Sequence, residues 1–373
     1  MGTGSESGAG STEASGTGAA SSGDGSPSSS MPSNPPTPEA TVSPAQERWA
    51  AMSLEQQVAS VLMLHYPGTD AAGIAAFVQE IQPAGLILMG DNVPADETEL
   101  AASIAGWNAV ASAPLLVGID EEGGTVRRLA LDVFPAAPEL RDGDPAATEA
   151  AFRERGQLLE NLGITTNFGV VADVTADTSS FIWPRVLGST PDAAASQVAA
   201  AVRGEQGLVH TTLKHFPGHG LSAGDSHISI PTSEVTYDEW LEAAAPPFES
   251  GIGAGAEMVM VGHLLFPQIA PEPASLSPRW HEILREDLGF DGIIVTDAME
   301  MLQGSGLPEY ADPVANAVLT LQAGSDLVLI ASGGADEARL LVAGIAEAVR
   351  SGALDSAVLE AAGVRVMEAR LGL

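Results

Sequence analysis

The sequence contains no cysteine, which excludes disulfide staples, thiolate nucleophiles and cysteine-based metal sites, though it leaves the redox compartment open. Positive charge is scarce: 15 Lys and Arg stand against 49 Asp and Glu, a formal net charge of −34. Such a chain cannot neutralise phosphates in series, so nucleic acid is excluded as a partner and an anionic membrane surface is disfavoured. Solubility is the plain consequence of that charge. No apolar run reaches the about 18 residues a membrane span needs. Strict GxGxxG and GxxxxGK[ST] motifs are missing. Looser Ala-ended versions at Gly218–Ala223 and Gly251–Ala256 do not join a strand to a helix, as a phosphate cradle must. A GxSxG match at Gly220–Gly224 likewise lacks the strand-to-helix setting of a nucleophile elbow. Lysine itself is nearly absent, and the single one is Lys214.

What is present supports a large core, since 45% of the 373 residues are hydrophobic. Residues 1–45 are the exception, being mostly Gly, Ser, Thr, Ala, Pro and Glu. They cannot bury enough surface to offset the entropy of ordering, and they read as a disordered tether. The stretch has neither the basic n-region nor the apolar h-region of a signal peptide. A tether of this kind suits an exported protein held at a cell surface, its signal or lipid-attachment segment already removed. A cytoplasmic location is the alternative.

From residue 46 to 373 the pattern alternates. Apolar, β-capable runs occur at Val61–Leu64, Gly85–Met89, Leu115–Ile119, Thr165–Val171, His210–Leu213, Met258–Val261, Ile293–Val295 and Leu327–Ile330. Helical spacing fills the intervals, as at Ala146–Leu162, Ala193–Gln206 and Asp312–Ala323. Continuous apolar strands alternating with helices predict a parallel sheet covered on both faces. The number of runs suits a single-domain (β/α)₈ TIM barrel, with an open doubly wound sheet as the other candidate.

The stretch Lys214–Pro231, KHFPGHGLSAGDSHISIP, carries the densest chemistry. Its glycines predict a loop rather than a regular helix or strand, leaving Lys214 and His215 at the C-terminal end of a strand. Parallel α/β folds collect their functional groups there. His215, His219 and His227 are spaced by four and eight, which matches no finger-type metal pattern, so no metal or other cofactor is expected. Other strand tips add Asp91 and Asn92, Asp120–Gly124 with Arg127 and Arg128, Asp173, His263 and Asp297. A barrel would bring them to one mouth. Each alone could cap a helix or pair with a neighbour; their recurrence at strand ends points to a site.

Two groups of this kind are the minimum for retaining glycoside hydrolysis, one attacking the anomeric carbon and the other moving a proton. Asp297 follows a buried strand and would be held rigidly. Asp225 and His227 flank Ser226, and in an extended segment both would point the same way, letting the carboxylate orient the imidazole. A histidine can give a proton and take it back. The loop glycines would let His227 swing in when substrate binds. The same pair could equally do no more than pin the loop.

KHFPGHG followed by DSH at Lys214–His227 resembles the signature of glycoside hydrolase family 3, in its β-N-acetylglucosaminidase branch. Met52–Glu55, Pro83–Leu88, Ile119–Gly124, Gly163–Phe168, Val295–Met299 and Ala323–Asp326 resemble further family segments in the family's order. The resemblance implies a single-barrel enzyme with Asp297 as nucleophile and His227 as acid/base paired with Asp225. It implies sugar contacts from Asp120, Arg128, Arg185, Lys214 and His215. The chain departs from the pattern where Glu121 replaces the usual Gln, adding charge beside Asp120. It departs again where Arg185–Gly188 replaces RSFG, and where Gly169–Val171 replaces APV.

The expected activity is therefore removal of terminal, non-reducing β-linked N-acetylglucosamine by a monomer that needs no cofactor. A phosphorylase, a relaxed β-glucosidase and a non-catalytic glycan-binding surface protein remain as alternatives. The natural glycan, whether cell-wall fragment or chito-oligosaccharide, is left open.

Overall fold

Eight parallel strands form one sheet that closes on itself. They are β1 (Leu62–Leu64), β2 (Gly85–Leu88), β3 (Leu116–Ile119) and β4 (Thr166–Val171). The second half comprises β5 (His210–Phe216), β6 (Met258–Val261), β7 (Ile293–Thr296) and β8 (Val328–Ile330). β1 pairs with both β2 and β8, and a parallel bridge between Val295 and Leu327 joins β7 to β8. The chain is a (β/α)₈ TIM barrel, with helices on its outside. A computed structural model describes residues 1, 10–16 and 42–372; segments 2–9 and 17–41, most of the expected tether, lie outside the described residues. Val42–Leu373 is one compact unit.

The helices start where the sequence supplies caps. Asp144, Thr190 and Asp312 each accept a backbone N–H with their side chain, and each is followed by proline at the first helical position. The helices run Pro145–Asn161, Pro191–Glu205 and Pro313–Ala323, within two residues of the expected bounds. A further capped helix, Pro44–Ala50, begins inside the stretch assigned to the tether: Ser43 and Gln46 form a capping box, and Ala45 is buried.

Period-two alternation decides what each strand contributes. Met258 and Met260 of β6, Ile293 and Val295 of β7, and Leu329 of β8 fill the barrel interior with Met63 and Phe168. The alternate residues Val259, Val261 and Ile294 pack outward against the helices. Gly118 makes room inside, since an added Cβ would lie 2.9 Å from Met63 Sδ and Phe168 Cε2. The last helix, Ser356–Leu371, places Val366 under this interior, and Arg370 Nε donates to Pro114 O at 2.7 Å just before β3. That closes the N-terminal end of the barrel.

One expectation needs correction. β5 extends through Lys214 and His215 to Phe216 instead of stopping at Leu213. Ladder pairing decides this: Lys214 pairs with Val171 of β4 and Phe216 with Val261 of β6. Both neighbours hold the strand beyond the point where its side chains become polar.

Candidate active site

Continuing the interior alternation past the strand ends brings charged groups to the C-terminal mouth. Asp120 has the parity of Leu116 and Gly118, and Asp297 that of Ile293 and Val295. They line a cavity of about 590 Å³ together with Arg128, Arg185, Lys214, His215 and His227. Its floor and walls include Met89, Met260 and Leu329. Seven of the eight residues singled out from the sequence therefore share one cavity, and the eighth, Asp225, is bonded to His227.

Lys214 is the centre of the charged wall. Its side chain is 2% exposed, and Nζ lies 2.8 Å from Asp120 Oδ1 and 2.7 Å from Glu122 Oε1. Burial opposes its charge, but the two carboxylates outweigh that and raise its pKa above the ordinary lysine value. Burial also opposes ionisation of Asp120, and Lys214 with Arg128 overcomes it, holding the carboxyl below its usual range. Arg128 Nη2 lies 3.3 Å from Asp120 Oδ2, while its buried Nε has no partner among the described residues. Arg185 grips Glu122 with both prongs, Nε to Oε2 at 2.9 Å and Nη2 to Oε1 at 2.6 Å.

The same Arg185 Nη2 lies 3.0 Å from His215 Nε2. An arginine can only donate, so His215 Nε2 accepts and the ring proton sits on Nδ1. Nδ1 in turn donates to Asp173 Oδ2 at 2.7 Å. Asp173, fully buried after β4, is held below the ordinary carboxylate range: burial opposes this, and His215 outweighs it. The short turn Trp183–Arg185 that presents Arg185 is anchored by Arg141, which donates to Trp183 O at 2.6 Å and Val186 O at 3.0 Å. The Arg141 guanidinium also covers the Trp183 ring at 3.8 Å. This anchorage keeps Arg185 in place where its neighbours depart from the expected motif.

Asp297 Oδ1 accepts the backbone N–H of Ala298 at 2.8 Å, which fixes the carboxylate. Buried His263 supports that backbone, its Nε2 donating to Ala298 O at 3.0 Å while Nδ1 accepts from Ser275 Oγ at 2.7 Å. Burial pushes the His263 ring down from its usual pKa, which favours the neutral form with its proton on Nε2.

His227 Nδ1 lies 2.7 Å from Asp225 Oδ1, leaving Nε2 for the cavity. The pairing arises differently from the extended arrangement expected from the sequence. Residues 226–228 form a turn, in which the His227 backbone N–H also donates to Asp225 Oδ1 at 2.9 Å. The Asp225 side chain thus caps its own turn, a common use of aspartate in loops.

Sequence reasoning gave no role to Glu122, Asp173, His219 or Phe181. The first two were visible as carboxylates at strand tips, but nothing local says which partner each would find. Glu121 departs from expectation in direction. Its Oε2 accepts the backbone N–H groups of Arg128 at 2.8 Å and Leu129 at 3.2 Å, away from the cavity. Burial pushes its carboxyl up to about 8, partly opposed by the Arg128 N–H and helped by neighbouring Asp132. A neutral carboxylic acid can donate as well as accept, as a glutamine can, although Oε1 has no partner among the described residues. Gly169 has a local reason too: an added Cβ would lie 2.3 Å from Asn167 Nδ2, which bridges to buried Glu205 at 2.6 Å.

Among the described residues no cluster of three or more His, Cys, Asp or Glu could hold a metal ion. No helix among them is long and apolar enough to cross a membrane.

Comparison with known proteins agrees with this architecture. Residues 53–369 match the glycosyl hydrolase family 3 N terminal domain. A β-hexosaminidase of Stenotrophomonas maltophilia is 33% identical over 288 residues, covering 72% of this chain and 83% of that protein. One from Xanthomonas axonopodis pv. citri is 34% identical over 283 residues, again covering 72% and 83%. Among solved structures, a family 3 β-N-acetylglucosaminidase from Paenibacillus sp. superposes with a TM-score of 0.80 at 31% identity, over 86% of this chain. The match spans 63% of that longer protein. LpqI of M tuberculosis superposes with a TM-score of 0.79 at 29% identity, over 88% of this chain and 97% of its own. The chain belongs to glycosyl hydrolase family 3 and is a glycoside hydrolase.

Proposed function

We propose that the protein is a retaining exo-β-N-acetylglucosaminidase acting on terminal, non-reducing β-linked N-acetylglucosamine. The observation that carries this reading is the single cavity in which Asp297, from the tip of β7, meets His227, from the loop after β5. In the first step a carboxylate oxygen of Asp297 bonds to the anomeric carbon as the glycosidic C–O bond breaks. His227 Nε2 passes its proton to the departing oxygen, and Asp225 stabilises the Nδ1–H side of the ring throughout. In the second step the neutral imidazole takes a proton from water, whose oxygen displaces Asp297 and restores the free carboxylate. Two displacements retain the β configuration.

Lys214, Asp120, Arg128, Arg185 and His215 are the sugar-binding set in this reading. Their mutual ion pairs fix the donors and acceptors before substrate arrives, so little ordering is left to be done on binding. The names of the relatives, β-hexosaminidase and β-N-acetylglucosaminidase, support the choice of sugar. The partner is a β-GlcNAc-containing glycan, and the catalytic steps above call on no cofactor. Residues 1–45 are proposed as a tether for an extracellular or surface-held enzyme; recovery of the native protein solely from the cytosolic fraction would refute that placement.

The test is release of product from an aryl β-N-acetylglucosaminide beside the matching β-glucoside, with and without phosphate, reading the first-formed anomer by NMR. Turnover of the acetamido sugar to β-N-acetylglucosamine, independent of phosphate, is expected. Phosphate-dependent formation of the sugar 1-phosphate, or the α anomer as first product, refutes the hydrolytic retaining mechanism.

A further inference from the structure

One buried histidine of the β5 loop has no part in the chemistry above. His219 is 2% exposed and does not line the sugar cavity. Its Nε2 lies 3.1 Å from Ser226 Oγ, and its backbone N–H donates to Asp173 Oδ1 at 2.5 Å. Ser226 is itself 4% exposed and stands between Asp225 and His227, whose side chain is 60% exposed. The remaining bonds of the turn are local: Ser229 Oγ donates to Asp225 O at 3.0 Å, and the Ile228 N–H to the same oxygen at 3.3 Å. These shape the turn without fixing where it sits. The Phe181 ring lies 5.4 Å from that of His219 and 5.8 Å from that of His227, covering both. On the other side His227 O comes close to the helix after Asp297, where an added Cβ at Gly304 would meet it at 3.3 Å.

We propose that His219 is a positioning residue, whose bond to Ser226 latches the turn so that His227 stands over the cavity. Asp173 then serves two ends at once: one oxygen orients the sugar-facing ring of His215, and the other holds the backbone of the latch. Gly218 (φ 126°) and Gly224 (φ 109°) bound the stretch with angles that favour glycine, and a bridge from Ala223 to Thr232 ties its end, leaving the His219–Ser226 contact to place the turn beyond Gly224. Burial lowers the His219 pKa, which keeps the ring neutral and able to share a proton with a hydroxyl. The latch rests on the assignment of His227 as acid/base.

The test uses the full chain carrying Ser226→Ala, Ser226→Thr or His219→Phe, and two β-N-acetylglucosaminides, 2,4-dinitrophenyl and methyl. Departure of dinitrophenolate needs no proton, whereas methanol does. Ser226→Ala is expected to lower kcat/KM about tenfold or more for the methyl glycoside and less than about threefold for the dinitrophenyl one. Ser226→Thr, which keeps the hydroxyl, is expected to restore most of the loss. The Ser226→Ala/His219→Phe double variant should lose no more than the worse single, as expected for two residues acting through one contact. Equal losses for both leaving groups would assign the pair to general stability, or Ser226, which also lines the cavity, to holding the sugar, and would overturn the latch, as would wild-type rates in Ser226→Ala. If His227→Ala shows no leaving-group dependence, the acid/base reading itself falls and takes the latch with it.

Discussion

Lys214 Nζ lies 2.8 Å from Asp120 Oδ1, joining the only lysine of the sequence to the carboxylate at the tip of β3. Both side chains line the cavity at the barrel mouth, and Lys214 Nζ also reaches Glu122. Removing the cation leaves two carboxylates facing each other with less compensation than their burial demands. Lys214→Met is therefore expected to destabilise the fold by about 3–5 kcal/mol and to abolish turnover. Urea unfolding at neutral pH measures the first effect, and aryl glycoside hydrolysis the second. Unchanged stability would mean that Arg128 and Arg185 already neutralise the pair.

Glu121 gives the stability a definite pH dependence. Its carboxyl is pushed up to about 8 in the folded chain, against an ordinary value of 4.5. Between those values the folded state binds a proton that the unfolded state has lost. Its contribution is thus complete at low pH and declines as pH rises through the window, by about 1.4 kcal/mol per pH unit. Buried Glu205, pushed up to about 7, acts in the same direction. Glu121→Gln keeps the donor–acceptor pattern and removes one titration, so its unfolding free energy should fall less steeply from pH 5 to 8. Identical slopes in the two proteins would show that Glu121 is ionised when folded.

The barrel and most of its mouth were legible in the sequence because they follow from local rules. Apolar runs mark the strands, helical spacing marks the helices between them, and alternation carries Asp120 and Asp297 inward once the strands are placed. What was not legible depends on partners distant in the chain. The end of β5 was placed short because the β-prone run stops at Leu213, whereas Lys214 pairs with Val171 of β4 and Phe216 with Val261 of β6, partners the local sequence does not show. Glu121 was expected beside Asp120, yet adjacent residues on a strand face opposite ways, and its true neighbours are Arg128, Leu129 and Asp132. The Asp225–His227 pair was found for a reason that does not hold: a turn capped by Asp225, not an extended segment, brings the two together.

Arg185 offers a sharper test of the binding set than deletion does. Its guanidinium makes two bonds to Glu122 and a third contact to His215 Nε2. A lysine at this position keeps the charge but offers a single nitrogen, so it cannot hold both Glu122 oxygens and His215 Nε2 in the geometry of the planar fork. Losing a charge-assisted hydrogen bond costs about 1.5–3 kcal/mol, and Arg185→Lys is expected to lower kcat/KM about 10- to 100-fold. Substrates with good and poor leaving groups should lose equally, because the defect lies in holding the sugar. A loss confined to poor leaving groups would place the effect on proton transfer instead.

His227→Ala separates the two halves of the proposed reaction. General acid catalysis of this kind is worth about 10²–10⁴-fold, so kcat/KM for a methyl or chitobiose leaving group should fall by that range. For the dinitrophenyl glycoside the first step needs no proton, and its kcat/KM should be nearly unchanged. Its kcat should still fall, because the glycosyl-enzyme on Asp297 then waits for water without a base. Azide needs no deprotonation to attack, so adding it should restore kcat for the dinitrophenyl substrate and yield the β-glycosyl azide. Asp225→Asn, which keeps a hydrogen-bond partner for Nδ1 while removing the charge that favours the imidazolium, should show the same pattern in milder form. Uniform losses across leaving groups, with no azide rescue, would assign His227 a structural role and leave the acid/base to be sought elsewhere on the mouth, with Glu300 the first candidate. That carboxyl lines the cavity, has a buried oxygen without a partner among the described residues, and is raised by burial above its ordinary pKa, the state a proton donor requires.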